Sequence, residues 1–490
     1  MLLLTPILVV PVLAGLLCLL VPSRRVMAAV GVLAFSATLG LGIALVHQVL
    51  ARGVVTEWNG FLSADALSAW MVLLISVVSL ASAIYAVGYL RRDLADGAVT
   101  ERRFREFYVL TPLFGASMFL VVLANNLGVM WAAVEATALS SVLLVALYNR
   151  RHSLEAAWKY VILGSLGLAL ALMGTVFVYA AACKNNPQSL PSFNWSYLMS
   201  VADQLDPNLL KLAFVFAFVG YGTKAGLAPM HTWLPDAHSE APSPTSAMLS
   251  GVSLKIALYA LLRFHILATA CLGTAFSQHL LLSFGLLSMC VATPFILVQT
   301  NMKRLFAYHS LEHIGIICVG FGLAAPLTIF AAVLHIGYHA LVKATIFFAA
   351  GNIHQKYHSL ELPSLAGLLK TMPASSILLA LAVIGIAGLP PFGIFLTEFS
   401  IVAGGIGAGH LLVSVLFVAA LVTVFSGLLS HIAHLLLGTA EKEPGGPGTP
   451  RSCVVAMALL IAVLTVFSVW LPVPLLELLH QAAGIIGGRQ

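Results

Sequence analysis

Charge is what this 490-residue chain has least of: 9% of its residues are Asp, Glu, Lys or Arg, against 60% hydrophobic. A soluble domain carries roughly 25% charge, so the composition implies a polytopic membrane protein. Cysteine is sparse as well. The six residues Cys18, Cys183, Cys271, Cys290, Cys318 and Cys453 are scattered, with no C-x-x-C pair. That spacing argues against iron–sulfur clusters, structural zinc or a disulfide framework. No cofactor is therefore expected in this chain, and any redox chemistry would belong to partners. The segment near 2–21 lacks a basic leader and an A-x-A-like cleavage site, so it reads as a retained helix rather than a signal peptide. A net charge of +6 gives no reason to expect nucleic acid.

Long apolar runs dominate instead. Crossing about 30 Å of hydrocarbon takes about 20 residues of helix. Runs of that kind fall near 2–21, 26–49, 65–90, 107–124, 127–148, 155–181, 209–229, 246–268, 277–298, 303–323, 327–350, 372–392, 409–438 and 452–472. The expectation is an all-α membrane protein of about fourteen spans, with 394–404 as the second half of the twelfth. Alternating the loops puts fifteen Lys and Arg on one side, among them Arg24, Arg25, Arg91, Arg92, Arg102, Arg103, Arg105, Lys303, Arg304 and Lys442. The other side receives five: Arg52, Lys184, Lys211, Arg263 and Arg489. By the positive-inside rule the first side is cytoplasmic and both termini are external.

Four of the 24 basic residues remain, Lys159, Lys224, Lys255 and Lys343, and all fall inside expected spans, as do Glu135, Glu312 and Glu398. A charge at the centre of a helix costs roughly 2.5–3.5 kcal/mol on insertion scales. Lys159 is near enough to its helix start to snorkel; Lys224 is not. Lys224 precedes Gly226-Leu227-Ala228-Pro229, and Glu398 follows Gly388-Leu389-Pro390-Pro391. Two Gly/Pro-interrupted spans at corresponding positions imply two five-helix repeats, 107–270 and 271–440. They would be flanked by a three-helix segment, 1–106, and by a last helix with a short tail, 441–490. Five is odd, so the repeats would be inverted, and paired breaks of this kind point to a transport site. Glu135, near the middle of its span, is a candidate partner for Lys224. Each could hold the other charged, and separation would favour both neutral forms. The same pair could also be a static packing device.

Histidines add to this set. His335, His339 and Lys343 recur at i, i+4 and i+8 on one helix face. With no carboxylate or cysteine on that face, a proton path suits them better than a metal site, and no metal is expected. His309-Ser310-Leu311-Glu312-His313 matches H-x-x-E-H, the inverted zincin pattern, which would make Glu312 a base and the histidines zinc ligands. The alternative is a polar link from the basic side to the central lysines. His231, Asp236 and His238 in "HTWLPDAHSE" are candidates for the mouth of a proton path or for a solvated loop. His431 and His434 are either a release route or interfacial.

Five stretches carry a resemblance: "KAGLAPMHTWLPDAHSEAPSPTSAMLSG", "VSLKIALYALLRF", "MKRLFAYHSLEHIGI", "HALVKATIFFAAGNI" and "GLPPFGIFLTEF". Together they resemble the antiporter-like subunits of complex I, Mrp antiporters and membrane-bound hydrogenases, over roughly 105–440. The likeness is strongest to component F of hydrogenase-4-type complexes. It implies fourteen helices with two inverted repeats and a bacterial or archaeal cytoplasmic membrane. It also implies partner subunits with a peripheral redox arm, and movement of H⁺ or Na⁺. By the same resemblance Glu135 and Lys224 are a coupling pair, with Lys159 a modulating neighbour. Lys255, Lys343, His335 and His339 form the central relay, and Glu398 is its terminal site. Glu398 stands where the L-type subunit of complex I carries lysine, and only about eighteen residues follow the last expected span. Both departures point to an M-type or hydrogenase-F-type subunit.

Overall fold

The computed structural model describes residues 2–185, 192–439 and 448–488. Lys442 and Arg489, used above for orientation, lie outside the described residues. The N-terminal segment holds α1 (Leu4–Leu20), α2 (Arg24–Arg52), a hairpin of β1 (Val55–Glu57) and β2 (Leu62–Ala64), and α3 (Ala66–Ala95). Then come α4 (Glu101–Leu123), α5 (Leu127–Val145), α6 (Arg151–Asn185), α7 (Trp195–Ser200), α8 (Pro207–Ala225), α9 (Trp233–Glu240), α10 (Ser243–Met248) and α11 (Leu254–Leu272). The second half runs through α12 (Ala275–Val298), α13 (Met302–Gly322), α14 (Pro326–Tyr357), α15 (Leu368–Thr371), α16 (Pro373–Ile386), α17 (Gly393–Gly407) and α18 (Leu411–Leu437). It is followed by α19 (Arg451–Val469) and α20 (Val473–Ile486).

Helix prevails because a backbone out of water must satisfy its own polar groups. A helix occupies each of the fourteen expected windows. Among the described residues eleven helical spans are long and apolar enough to cross a membrane by themselves. The other windows hold α1, α8 and the pair α16–α17. The window near 246–268 is not one regular helix. α10 joins α11 through a π turn at Leu249–Ser253, an irregularity that frees carbonyls and often marks functional sites. The tail expected after the last span contains α20, whose buried Leu475, Leu478, Leu479 and Ala482 seat it on α3, α14 and α2.

Helix starts follow local chemistry. Asp206 accepts hydrogen bonds from the Asn208 and Leu209 amides ahead of Pro207. Asn126 and Asn301 cap α5 and α13 in the same way. α1 is capped from outside: Glu57 accepts the amides of Leu3, Leu4 and Thr5 at 2.5, 2.9 and 2.9 Å and the Thr5 hydroxyl at 2.6 Å. Arg263, counted above among loop charges, is instead buried in α11. It grips the Asp65 carboxylate at 2.6 and 2.8 Å, and Asp65 in turn caps α3 through the Ser68 amide at 2.9 Å. It therefore joins two helices and does not sit in a loop where it could set orientation.

α14 is the axis of the second half, packed by α3, α13, α16, α17, α19 and α20 and buried over almost all its length. A helix enclosed on every side is expected to be apolar on every side. This one carries His335, His339 and Lys343, each 0% exposed.

Candidate functional site

Both expected breaks are present, and their backbones are satisfied within the protein. α8 ends at Gly226, whose φ of 81° is the left-handed conformation glycine tolerates. The Thr223 carbonyl beside the break is taken by the Trp233 indole N–H at 2.8 Å, and the Ala228 amide donates to Ser288 Oγ at 3.0 Å. At the second break Gly388 has φ 64°, and the Gly393 amide donates to Ser468 Oγ at 2.8 Å. Ala228–Pro229 and Pro390–Pro391 are both cis.

Lys224 is 2% exposed. Its Nζ donates to the Tyr160 hydroxyl and lies 4.3 Å from that ring's centroid. Tyr160 meets Ser141 Oγ at 2.7 Å, and Ser141 donates onward to the Thr137 carbonyl at 2.5 Å. A hydroxyl has one proton, so Tyr160 must be the donor to Ser141. The chain of donors therefore runs from Lys224 through Tyr160 to Ser141.

Glu135 is not bonded to Lys224. Its nearest partner is Ser165 Oγ at 3.4 Å. It is half-buried on a side of α5 where Ala132, Ala136 and Leu139 are exposed, so it turns outward while Tyr160 reaches Lys224 from α6. Lys159 also stands outside the interior. It is 47% exposed and paired with Glu155 at 2.8 Å and Asp236 at 3.1 Å. Asp236 is held further by Arg304 at 2.6 Å, which makes it a tie between α6, α9 and α13 at the basic end. His231 is buried at the first break, edge-on to Tyr308.

His238, expected at a mouth, is 0% exposed. Its Nδ1–H donates to the Leu234 carbonyl at 2.8 Å, and Nε2 has no hydrogen-bond partner among the described residues. Its ring lies 6.2 Å from Trp233, which packs on Tyr160, and 5.7 Å from Phe347 of α14. The residue therefore joins the two halves. Lys255 Nζ donates to the Ser250 carbonyl within the π turn. Lys343 Nζ donates to the Phe306 carbonyl at 2.6 Å.

His309, Glu312 and His313, expected either as zinc ligands with a base or as a polar link from the basic side, are each 1% exposed. α13 turns them inward to meet α14 and α17. His309 Nδ1 lies 3.0 Å from Glu312 Oε2, and His313 Nδ1 lies 2.9 Å from His335 Nε2. Thr397 Oγ1 donates to Ile394 O, so it accepts from His335 Nδ1 at 2.8 Å. With its proton on Nδ1, a neutral His335 offers a lone pair at Nε2, and His313 is the donor between them. His339 stacks on His313 at 4.7 Å, and neither of its nitrogens has a hydrogen-bond partner among the described residues. The ligating atoms of His313, His335 and Glu398 lie within 4.8 Å of one another, as do those of His309, Glu312 and His313. No carboxylate shares the His335/His339 helix face, yet α17 brings Glu398 to it from another helix.

Glu398 is 7% exposed. Its carboxylate packs over Gly388 and lines a cavity of about 300 Å³ with Phe395, Phe399, Val418 and Val422. His431 lies within electrostatic reach of His309, whereas His434 is exposed. Tyr160, Ser141 and Thr397 escaped the sequence reading. Their spacing to the charged residues is set across helices, and tyrosine and threonine do not stand out in an apolar run.

The fold is that of a multi-pass, all-α membrane protein whose interior holds buried lysines, histidines and a glutamate. Residues 124–424 match the family described as "NADH:quinone oxidoreductase/Mrp antiporter, TM", and residues 60–98 match "NADH-Ubiquinone oxidoreductase (complex I), chain 5 N-terminus". The first match spans well over half of the chain, so the chain belongs to this antiporter-like family. A hydrogenase-4 component F homolog from Methylacidiphilum infernorum (isolate V4) is 38% identical over 392 residues, 80% of this chain and 81% of that protein. A chain of the Mrp complex from Dietzia sp. DQ12-45-1b superposes with a TM-score of 0.86 at 21% identity, covering 98% of this chain and 96% of that one. A chain of respiratory complex I from Thermus thermophilus gives 0.75 at 25% identity, covering 95% and 97%.

Proposed function

We propose that the chain is the proton-translocating subunit of a modular membrane redox complex, of the membrane-bound [NiFe]-hydrogenase or formate hydrogenlyase kind. The name of the 38%-identical relative supports the hydrogenase reading. Iron–sulfur and nickel–iron centres would then reside in partner subunits, and their electron transfer would bias the field at Lys224. Protons would pass by Lys224, His238, Lys255, Lys343 and the histidines to Glu398. The half-exposed Glu135 would face a neighbouring membrane subunit, since a carboxylate turned to lipid is costly. The repeats 107–270 and 271–440 would be the two halves of the path.

One observation carries this reading. Lys224, Lys255 and Lys343 are buried, yet each bonds a neutral oxygen and none has an ion-pair partner within 4.0 Å among the described residues. Removing a proton from a paired buried lysine would strand its partner's charge. Removing it from any of these three strands none, so each can load and unload. The protease reading of H-x-x-E-H has less support, because Glu312 and both histidines are too enclosed to meet a peptide. In vesicles holding the reconstituted complex, Lys224→Ala should abolish proton uptake driven by electron transfer while the subunits remain assembled. Unchanged uptake would sink the proposal. The soluble subunits that co-purify distinguish a hydrogenase from complex I or a cation/proton antiporter.

A further inference from the structure

Two imidazoles and a carboxylate, all enclosed, converge from three different helices, with ligating atoms within 4.8 Å of one another. We propose that His313, His335 and Glu398 form a binding site for a divalent transition-metal ion of the zinc type, and that an ion seated there closes the path.

Two nitrogens and one oxygen form a donor set that suits zinc, with a fourth position open. Hard cations such as Mg²⁺ and Ca²⁺ prefer shells made of oxygen. At Zn–N distances of about 2.0–2.1 Å, tetrahedral geometry puts two ligand nitrogens roughly 3.3–3.4 Å apart. His313 Nδ1 and His335 Nε2 stand 2.9 Å apart around a shared proton. The ion would take that proton's place, with an opening of about half an ångström, and the proton would move to His313 Nε2. Ligating histidines usually have the other ring nitrogen held by a second group. His335 already has this support, since its Nδ1 is fixed by Thr397. Gly388 leaves the space in which the Glu398 carboxylate can lie beside them. The alternative triad, His309, Glu312 and His313, competes for His313, so one ion per chain is expected.

Closure of the path rests on the relay reading, whereas binding does not, so the two are measured separately. The purified full-length chain is stripped with a chelator and titrated with Zn²⁺ alone. We expect one tight zinc per chain and an absorption-edge spectrum with only nitrogen and oxygen neighbours. Substituting His335→Gln or Glu398→Gln should each weaken binding at least about 10-fold. Thr397→Ala should do the same, since losing the group that orients a ligating histidine typically costs about 10–100-fold. Cys290→Ser and His434→Ala should leave the titration unchanged. Each variant is used only if it elutes as the parent chain does, and Thr397→Ala keeps all three ligands in place. Absent zinc, sulfur in its shell, or equal affinity in all three variants would overturn the site. Zinc that binds there without slowing proton uptake in vesicles would keep the site and remove these histidines from the relay.

Discussion

Lys224 is bonded to Tyr160. The ammonium donates to the phenol oxygen and sits above the same ring, and the phenol passes its own proton towards Ser141. A buried lysine held by a neutral hydroxyl and a ring face has its positive charge softened without being fixed by a countercharge. Glu135, on the outward side of α5, has Ser165 Oγ at 3.4 Å as its partner and is not bonded to this lysine.

Tyr160→Phe keeps the ring and removes the acceptor. Hydrogen bonds to charged groups contribute about 1.5–3 kcal/mol, a factor of about 10 to 100, and Tyr160→Phe removes the one that Lys224 donates. We expect coupled proton uptake to fall by at least that lower factor, with little effect on assembly, because the ring still fills its place against Trp233. Vesicle uptake compared with electron-transfer rate measures the effect. Full uptake in Tyr160→Phe would show that the ring contact alone is enough.

At the second break, Gly388 combines a left-handed φ of 64° with a Glu398 carboxylate lying where a Cβ would project. A left-handed conformation costs a non-glycine residue roughly 1–2 kcal/mol, and displacement of the carboxylate adds to that. Gly388→Ala should lower the thermal midpoint of the purified protein and reduce uptake more than stability alone accounts for. Gly407→Ala, whose new methyl group would meet nothing within 4 Å, is the matched control.

Much of this was legible in the sequence. Spans, breaks and buried charges show as apolar runs, Gly-Pro interruptions and lysines out of place, because the bilayer penalises each so heavily that only a reason keeps them. Contacts across helices were harder to read. His238 looks like an edge residue because it stands near Asp236 in the chain. A helical rotation nonetheless turns His238 onto Phe347, and only the packed bundle fixes that rotation. Glu135 misled for the same reason. Mid-span position gives its depth, while the face it presents depends on α6 and on what covers α5.

Glu57 offers a test of the fold independent of transport. Burial opposes its charge, but the Thr5 hydroxyl and the amides of Leu4, Thr5 and Leu3 outweigh burial and lower its pKa from the ordinary glutamate value. A group lowered on folding adds stability above its unfolded pKa and loses it as pH falls through the folded one. Glu57→Gln should therefore be less stable than the parent by about 1–2 kcal/mol at neutral pH, as for a helix N-terminal cap. The gap should persist down to about pH 4.3, the unfolded value, and narrow below it as the parent's carboxylate takes up its proton. Thermal midpoints of both proteins from pH 8 to pH 3.5 measure this. A gap that stays constant into acid would mean that shape, and not charge, holds the start of α1.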